Sequence, residues 1–69
     1  MGDETLTNRL KLLRAERDLT QADLAELTGT TRKSINAIEM GRMVPSILLA
    51  LKVSRALNVP LDDIFALAG

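Results

Sequence analysis

The chain lacks cysteine and histidine altogether, which removes disulfides and Cys/His metal sites as sources of stability. Nucleophilic or acid-base catalysis built on Cys or His is removed with them. Tryptophan and tyrosine are also absent and Phe65 is the single aromatic residue, against abundant Leu, Ala and Ile. Strands draw on aromatic and β-branched residues, so this composition favours helices and predicts an all-α fold. No long uninterrupted apolar run occurs, and Met1-Gly2-Asp3-Glu4 is acidic where a secretory signal would be basic, so the chain is expected to be soluble and cytoplasmic with no membrane partner. Formal net charge is zero, which argues against a generic polycation that coats nucleic acid or lipid.

What is present is 69 residues, near the lower limit for a self-sufficient core, so tight helix packing or self-association must supply stability. No repeat or linker divides it, and residues 1–69 read as one domain. The charge is unevenly spread: from Thr31 to Arg55 there are five cations, Arg32, Lys33, Arg42, Lys52 and Arg55, against Glu39 alone. A neutral chain can therefore carry a basic face.

Five helices are expected. The first starts between Asp3 and Asn8, carries Leu6, Leu10 and Leu13 as one stripe, and ends near Arg17 with Asp18 at the turn. Thr20 and Asp23 form a capping pattern for a second helix, Gln21 to Leu27 or Thr28, that buries Leu24 and Leu27. Gly29 supplies the left-handed residue that ends it, and Thr31 caps a third helix from Arg32 to Met40, with Ile35 and Ile38 inward. Pro45-Ser46 opens a fourth, Ile47 to Leu57, apolar around much of its circumference; Asn58-Val59-Pro60 closes it. A last helix runs from Leu61 to Ala66 or Leu67, with Asp62 and Asp63 in its first turn.

Thr20 to Met40 is thus helix, three-residue turn with glycine, helix. With Ile35 and Ile38 inward, helical spacing sends Arg32, Lys33, Asn36, Ala37 and Met40 to the opposite side. Cations suit guanine O6 and N7, an amide suits adenine and a small apolar group suits a thymine methyl, so the expected partner is double-stranded DNA read in the major groove. The acid pairs Asp3/Glu4 and Asp62/Asp63 sit at helix starts, no glycine-rich phosphate loop occurs, and neither an enzyme activity nor a cofactor or metal is expected.

The segments 12-LLRAERDLTQADLAELTGTTRKSINAIEMGR-42, 45-PSILLALKVSRALNV-59 and 61-LDDIF-65 resemble the helix-turn-helix regulators of the Cro and phage-repressor type, often called the XRE family. The resemblance implies a five-helix domain that docks its third helix in the major groove, usually as a homodimer on a palindromic operator. By position it implies base contacts for Thr31, Arg32, Lys33, Asn36 and Ala37, phosphate contacts for Gln21 and Arg42, with Gln21 also bracing the recognition helix, and an ion pair between Arg14 and Glu39. Met43 and Val44 depart from the polar loop of many relatives, and Asp18 and Asn58 stand where glycine is frequent. The expected function is a small transcriptional regulator, a repressor acting by occupation of a promoter. The rival reading is a protein-interaction module such as the antitoxin of a toxin-antitoxin pair, which would carry the same motif.

Overall fold

The first four helices all close in the same way. At each C-terminus one residue turns left-handed, Asp18 (φ 55°), Gly29 (72°), Gly41 (74°) and Asn58 (56°). The amide after it reaches back to the carbonyl five residues earlier: Leu19 to Arg14, Thr30 to Ala25, Arg42 to Ala37 and Val59 to Ser54, at 2.8–3.2 Å. This double closure satisfies carbonyls that a helix end otherwise leaves without partners, and it turns the chain sharply.

The computed structural model describes residues 4–68. The order is β1 (Thr5–Asn8), α1 (Leu10–Glu16), α2 (Gln21–Thr28), α3 (Arg32–Glu39), α4 (Ile47–Leu57), α5 (Leu61–Ile64) and β2 (Phe65–Ala68). Side-chain caps open three helices. Thr20 Oγ1 accepts from the Asp23 amide while the Asp23 carboxylate accepts from the Thr20 amide, each at 2.9 Å. Thr31 and Ser46 accept from the amides of Ser34 and Leu49.

The all-α expectation needs correction, because β1 and β2 pair antiparallel, Thr5 opposite Ala68 and Asn8 opposite Phe65. Of the expected first-helix start, Asp3 lies outside the described residues. Thr5 to Asn8 are extended and α1 begins only at Leu10. The reason lies at the strand ends: the Arg9 amide donates to the Ile64 carbonyl at 2.9 Å, taking the acceptor that a longer α5 would have used. Phe65 to Ala68 then continue as a strand instead of the expected helix, with the Thr5 and Thr7 hydroxyls donating to the Ala68 and Ala66 carbonyls.

The core gathers Leu10, Leu13, Leu24, Ala25, Ile35, Ile38, Val53, Leu57 and Ile64. At about 25 cal/mol per Å² of apolar surface removed from water, these side chains are the main stabilising term. Leu27, expected inside, is 60% exposed. Its place is taken by Thr28, one helical turn after Leu24, whose hydroxyl donates to the Leu24 carbonyl at 2.7 Å and so enters the core satisfied. Along α4 only Ala50, Val53 and Leu57 are buried; Ile47, Leu48 and Leu51 face solvent. Arg17 ties α1 to the C-terminal end of α4, its Nε donating to the Leu57 carbonyl at 2.8 Å.

Candidate nucleic-acid interface

α3 is fixed to the body by two side chains with essentially no exposure, Ile35 and Ile38. Its opposite side is thereby committed to solvent, and Arg32, Lys33 and Asn36 are all exposed there. Ala37 is half-buried beside them. Gln21, at the start of α2, faces the same place: Gln21, Arg32, Lys33 and Asn36 line one shallow depression. Four of the residues singled out from sequence are therefore brought together. Arg42 is not among them. It lies past the Gly41 turn at the far end of α3, exposed, its amide bonded to the Ala37 carbonyl.

Thr31 sits at the junction of turn and helix with its hydroxyl engaged locally. The oxygen accepts from the Ser34 amide at 3.1 Å, and the hydrogen goes to Ser34 Oγ at 3.0 Å. In this arrangement Thr31 positions α3, and only rotation of the hydroxyl frees it for a contact outside.

Beneath the strip lies a polar network. Arg14 Nε donates to Glu39 Oε2 at 2.8 Å and Nη2 to Oε1 at 3.3 Å, with side chains 14% and 3% exposed. Arg14 Nη1 also donates to the Leu19 carbonyl at 2.7 Å, so one guanidinium holds α3 and the turn after α1 together. Such bidentate charge-assisted contacts are short and geometrically specific. The electrostatic consequence concerns the basic strip: Glu39, the only acid from Thr31 to Arg55, is neutralised from inside by Arg14. Arg32, Lys33 and Arg42 form no ion pair among the described residues, and their charge is available.

Gln21 Nε2 donates to Glu39 Oε1 and to Asn36 Oδ1, each at 3.0 Å. The resemblance implies that Gln21 braces the recognition helix, but not these two partners, since they sit on a helix whose angle to α2 the turn decides. Asn8 was also missed. Its Nδ2 donates to the Ile38 carbonyl at 3.0 Å while its Oδ1 accepts from the Leu10 amide, fastening the C-terminal turn of α3 to the β1–α1 junction. No residue pattern around Asn8 distinguishes it from an ordinary polar strand position.

The helix-turn-helix family model matches residues 10–64, from the start of α1 to the end of α5. The chain belongs to the helix-turn-helix family of the XRE type. It is 44% identical over 60 residues to YgzD of Bacillus subtilis, an uncharacterized HTH-type transcriptional regulator, covering 87% of this chain and 91% of that one. Among solved structures it is similar to the restriction-modification controller protein C.AhdI from Aeromonas hydrophila, with TM-score 0.75, 33% identity and 80% of each chain covered. A putative DNA-binding protein from Bacteroides fragilis aligns with TM-score 0.81 and 29% identity over 90% of this chain and 100% of that one. As a helix-turn-helix regulator the protein is DNA-binding, and α2 and α3 are the two helices of the motif. No helix among the described residues is long and apolar enough to cross a membrane.

Proposed function

We propose that the protein is a cytoplasmic, sequence-specific repressor that lays α3 in the major groove of a palindromic operator and acts by occupying a promoter. The observation that carries this reading is the exposed strip of Arg32, Lys33 and Asn36, unpaired in charge and held outward by buried Ile35 and Ile38. Arg32 and Lys33 supply donors for guanine O6 and N7, the Ala37 methyl offers an apolar surface for a thymine methyl, and Asn36 and Thr31 face base edges beside them. Arg42 and Gln21 flank the groove as phosphate ligands. Because both Gln21 side-chain hydrogens are held by Asn36 and Glu39, the donor it brings to phosphate is its main-chain amide at the start of α2, where the helix dipole favours an anion.

A second observation supports a homodimer. Val44, Ile47, Leu48 and Leu51 lie in and just before the first turns of α4, with Ile47 79% and Leu48 65% exposed. Ile47, Leu48 and Leu51 are neighbours on one helix surface, and exposed apolar residues grouped in this way support an association surface. Two copies joined in a symmetric pair present two recognition helices to half-sites about 34 Å apart.

The test is selection of duplexes from a random pool by the parent, Arg32→Ala and Lys33→Ala at two salt concentrations. The parent is expected to enrich a palindrome, and each variant to lose preference at specific positions. Equal enrichment by all three proteins rejects direct readout, and a parent that sediments as a monomer with and without DNA rejects the dimer.

A further inference from the structure

Between the sheet and the end of α3 lies a cavity of about 290 Å³ that shares no residue with the exposed strip. Its walls are β1, Phe65 of β2, Ile38 of α3 and the segment from Gly41 to Val44. Leu6, Ile38, Met43, Val44 and Phe65 make it largely apolar. There is room at Gly41, where an added Cβ would meet nothing within 4 Å. The neutral polar side chains on its wall are already engaged. Asn8 donates to the Ile38 carbonyl and accepts from the Leu10 amide, and the Thr5 hydroxyl donates to the Ala68 carbonyl. Glu4 is different: among the described residues it is the only charged group lining the cavity, and it forms no ion pair.

We propose that this cavity takes a small organic cation with an apolar body, an alkylammonium, and that its occupation is felt at α3. The Glu4 carboxylate attracts such a ligand. The C-terminal end of α3, which Ile38 brings to the wall, carries the negative pole of the helix dipole. Phe65, the single aromatic residue of the chain, adds a ring, and ring faces attract ammonium groups. An anion is repelled by the first two, and a neutral polar molecule finds the Asn8 amide and the Thr5 hydroxyl already bonded. A second copy is the rival occupant, since Val44 belongs also to the association patch. That patch is apolar, however, and brings no cation to Glu4. Coupling to α3 follows from the walls: Asn8 holds the Ile38 carbonyl at 3.0 Å, and the Arg42 and Met43 amides hold the Ala37 carbonyl at 2.8 and 3.3 Å. A ligand seated against Asn8 and Met43 bears on these fastenings and on the turn that carries Arg42. Under the docking reading, on which this regulatory half rests, that alters affinity for the operator.

Benzyltrimethylammonium is the probe, with phenylacetate and benzyl alcohol as its anionic and neutral counterparts, each titrated into the full chain at constant ionic strength and followed by backbone amide NMR shifts. The cation should give saturable shifts centred on Leu6, Asn8, Gly41, Met43 and Phe65, and both counterparts should bind more weakly. Glu4→Gln should weaken the cation about two- to fivefold, the worth of one exposed charge contact, and leave benzyl alcohol unchanged. Leu6→Trp fills the cavity from a strand position that is 37% exposed and should abolish the shifts. Thermal unfolding establishes that each variant is folded; Glu4 is exposed, so its variant keeps the test readable even if Leu6→Trp unfolds. Equal binding of cation and phenylacetate, shifts centred elsewhere, or no saturable shift with any probe overturns the site. So does cation binding that emerges only on dilution of the protein, which assigns the groove to a second copy. Saturating probe should also change the affinity of the parent for its enriched duplex and leave that of Leu6→Trp unchanged; an unchanged parent affinity overturns the coupling alone. A parent that enriches no sequence overturns the docking reading and the coupling, while cation binding stands or falls on the titration.

Discussion

Replacing Arg14 by methionine should come close to unfolding the protein, although Arg14 has no place in the core. Methionine keeps much of the apolar stem, so packing changes little. What is lost is charge compensation. Glu39 is 3% exposed and would keep only the Gln21 hydrogen bond, with no water to solvate the carboxylate. Removing one member of such a buried pair costs about 3–5 kcal/mol. The Leu19 carbonyl loses its 2.7 Å donor as well, adding about 1 kcal/mol. A chain of 69 residues has about 3–10 kcal/mol of total stability to lose. The cost is a matter of imbalance, because Arg14→Met combined with Glu39→Leu removes the charge altogether and should recover most of the loss. Urea unfolding followed by helical circular dichroism, on the parent, both single variants and the double, gives the coupling between the two sites directly. A single-variant loss below about 1 kcal/mol, as for an exposed pair, would refute the reasoning. So would a double variant as unstable as the sum of the singles.

At Gly29, φ is +72° and a Cβ would meet nothing nearer than Lys52 Nζ at 4.0 Å. Gly29→Ala should therefore cost only the left-handed backbone penalty, about 1–2 kcal/mol; a larger drop in unfolding midpoint would mean that the turn is crowded after all. The Asp23 carboxyl lies below its ordinary pKa, held there first by the Thr20 amide and then by the Thr20 hydroxyl. A depressed carboxylate contributes stability that is present above the ordinary value, about pH 4, and is lost as pH falls through the depressed one. Asp23→Asn keeps an acceptor for the Thr20 amide without the titration, so its midpoint should fall less than the parent's over that acid window. Identical acid profiles for the two proteins would remove this contribution.

The parts of the fold that were legible in the sequence were those fixed by neighbours along the chain. Thr20 with Asp23, Thr31, Gly29, Gly41, Asp18 and Asn58 act through bonds no more than five residues long. Each residue type has a local reason to be there. The two strands had no such signal. Thr5 pairs with Ala68, and the Leu and Ala of Phe65 to Ala68 are good helix formers that a distant partner strand overrides. Leu6 also fell four residues before Leu10, so helical periodicity absorbed it. For the interface, the exposed strip followed from the inward isoleucines, whereas the Gln21–Asn36 and Gln21–Glu39 bonds depended on the angle between α2 and α3, which no single-helix pattern contains.

In the proposed docking, these polar links let a domain of zero net charge discriminate between base sequences. α3 is held by Ile35 and Ile38 in the core, by Arg14 at Glu39, by Gln21 at Asn36 and by Asn8 at the Ile38 carbonyl. A recognition helix pinned at that many points has little freedom left to lose on docking, which lowers the cost of binding without adding a contact. In that docking the cations on the DNA-facing side are Arg32, Lys33 and Arg42, which limits the number of phosphates neutralised, and hence the counterions released and the affinity for arbitrary DNA. With few phosphates neutralised and a strip held at several points, the proposed docking places the weight of recognition on the base edges. In the proposed docking, therefore, the alignment of Arg32, Lys33 and Asn36 by the network beneath them governs selectivity more than total charge does.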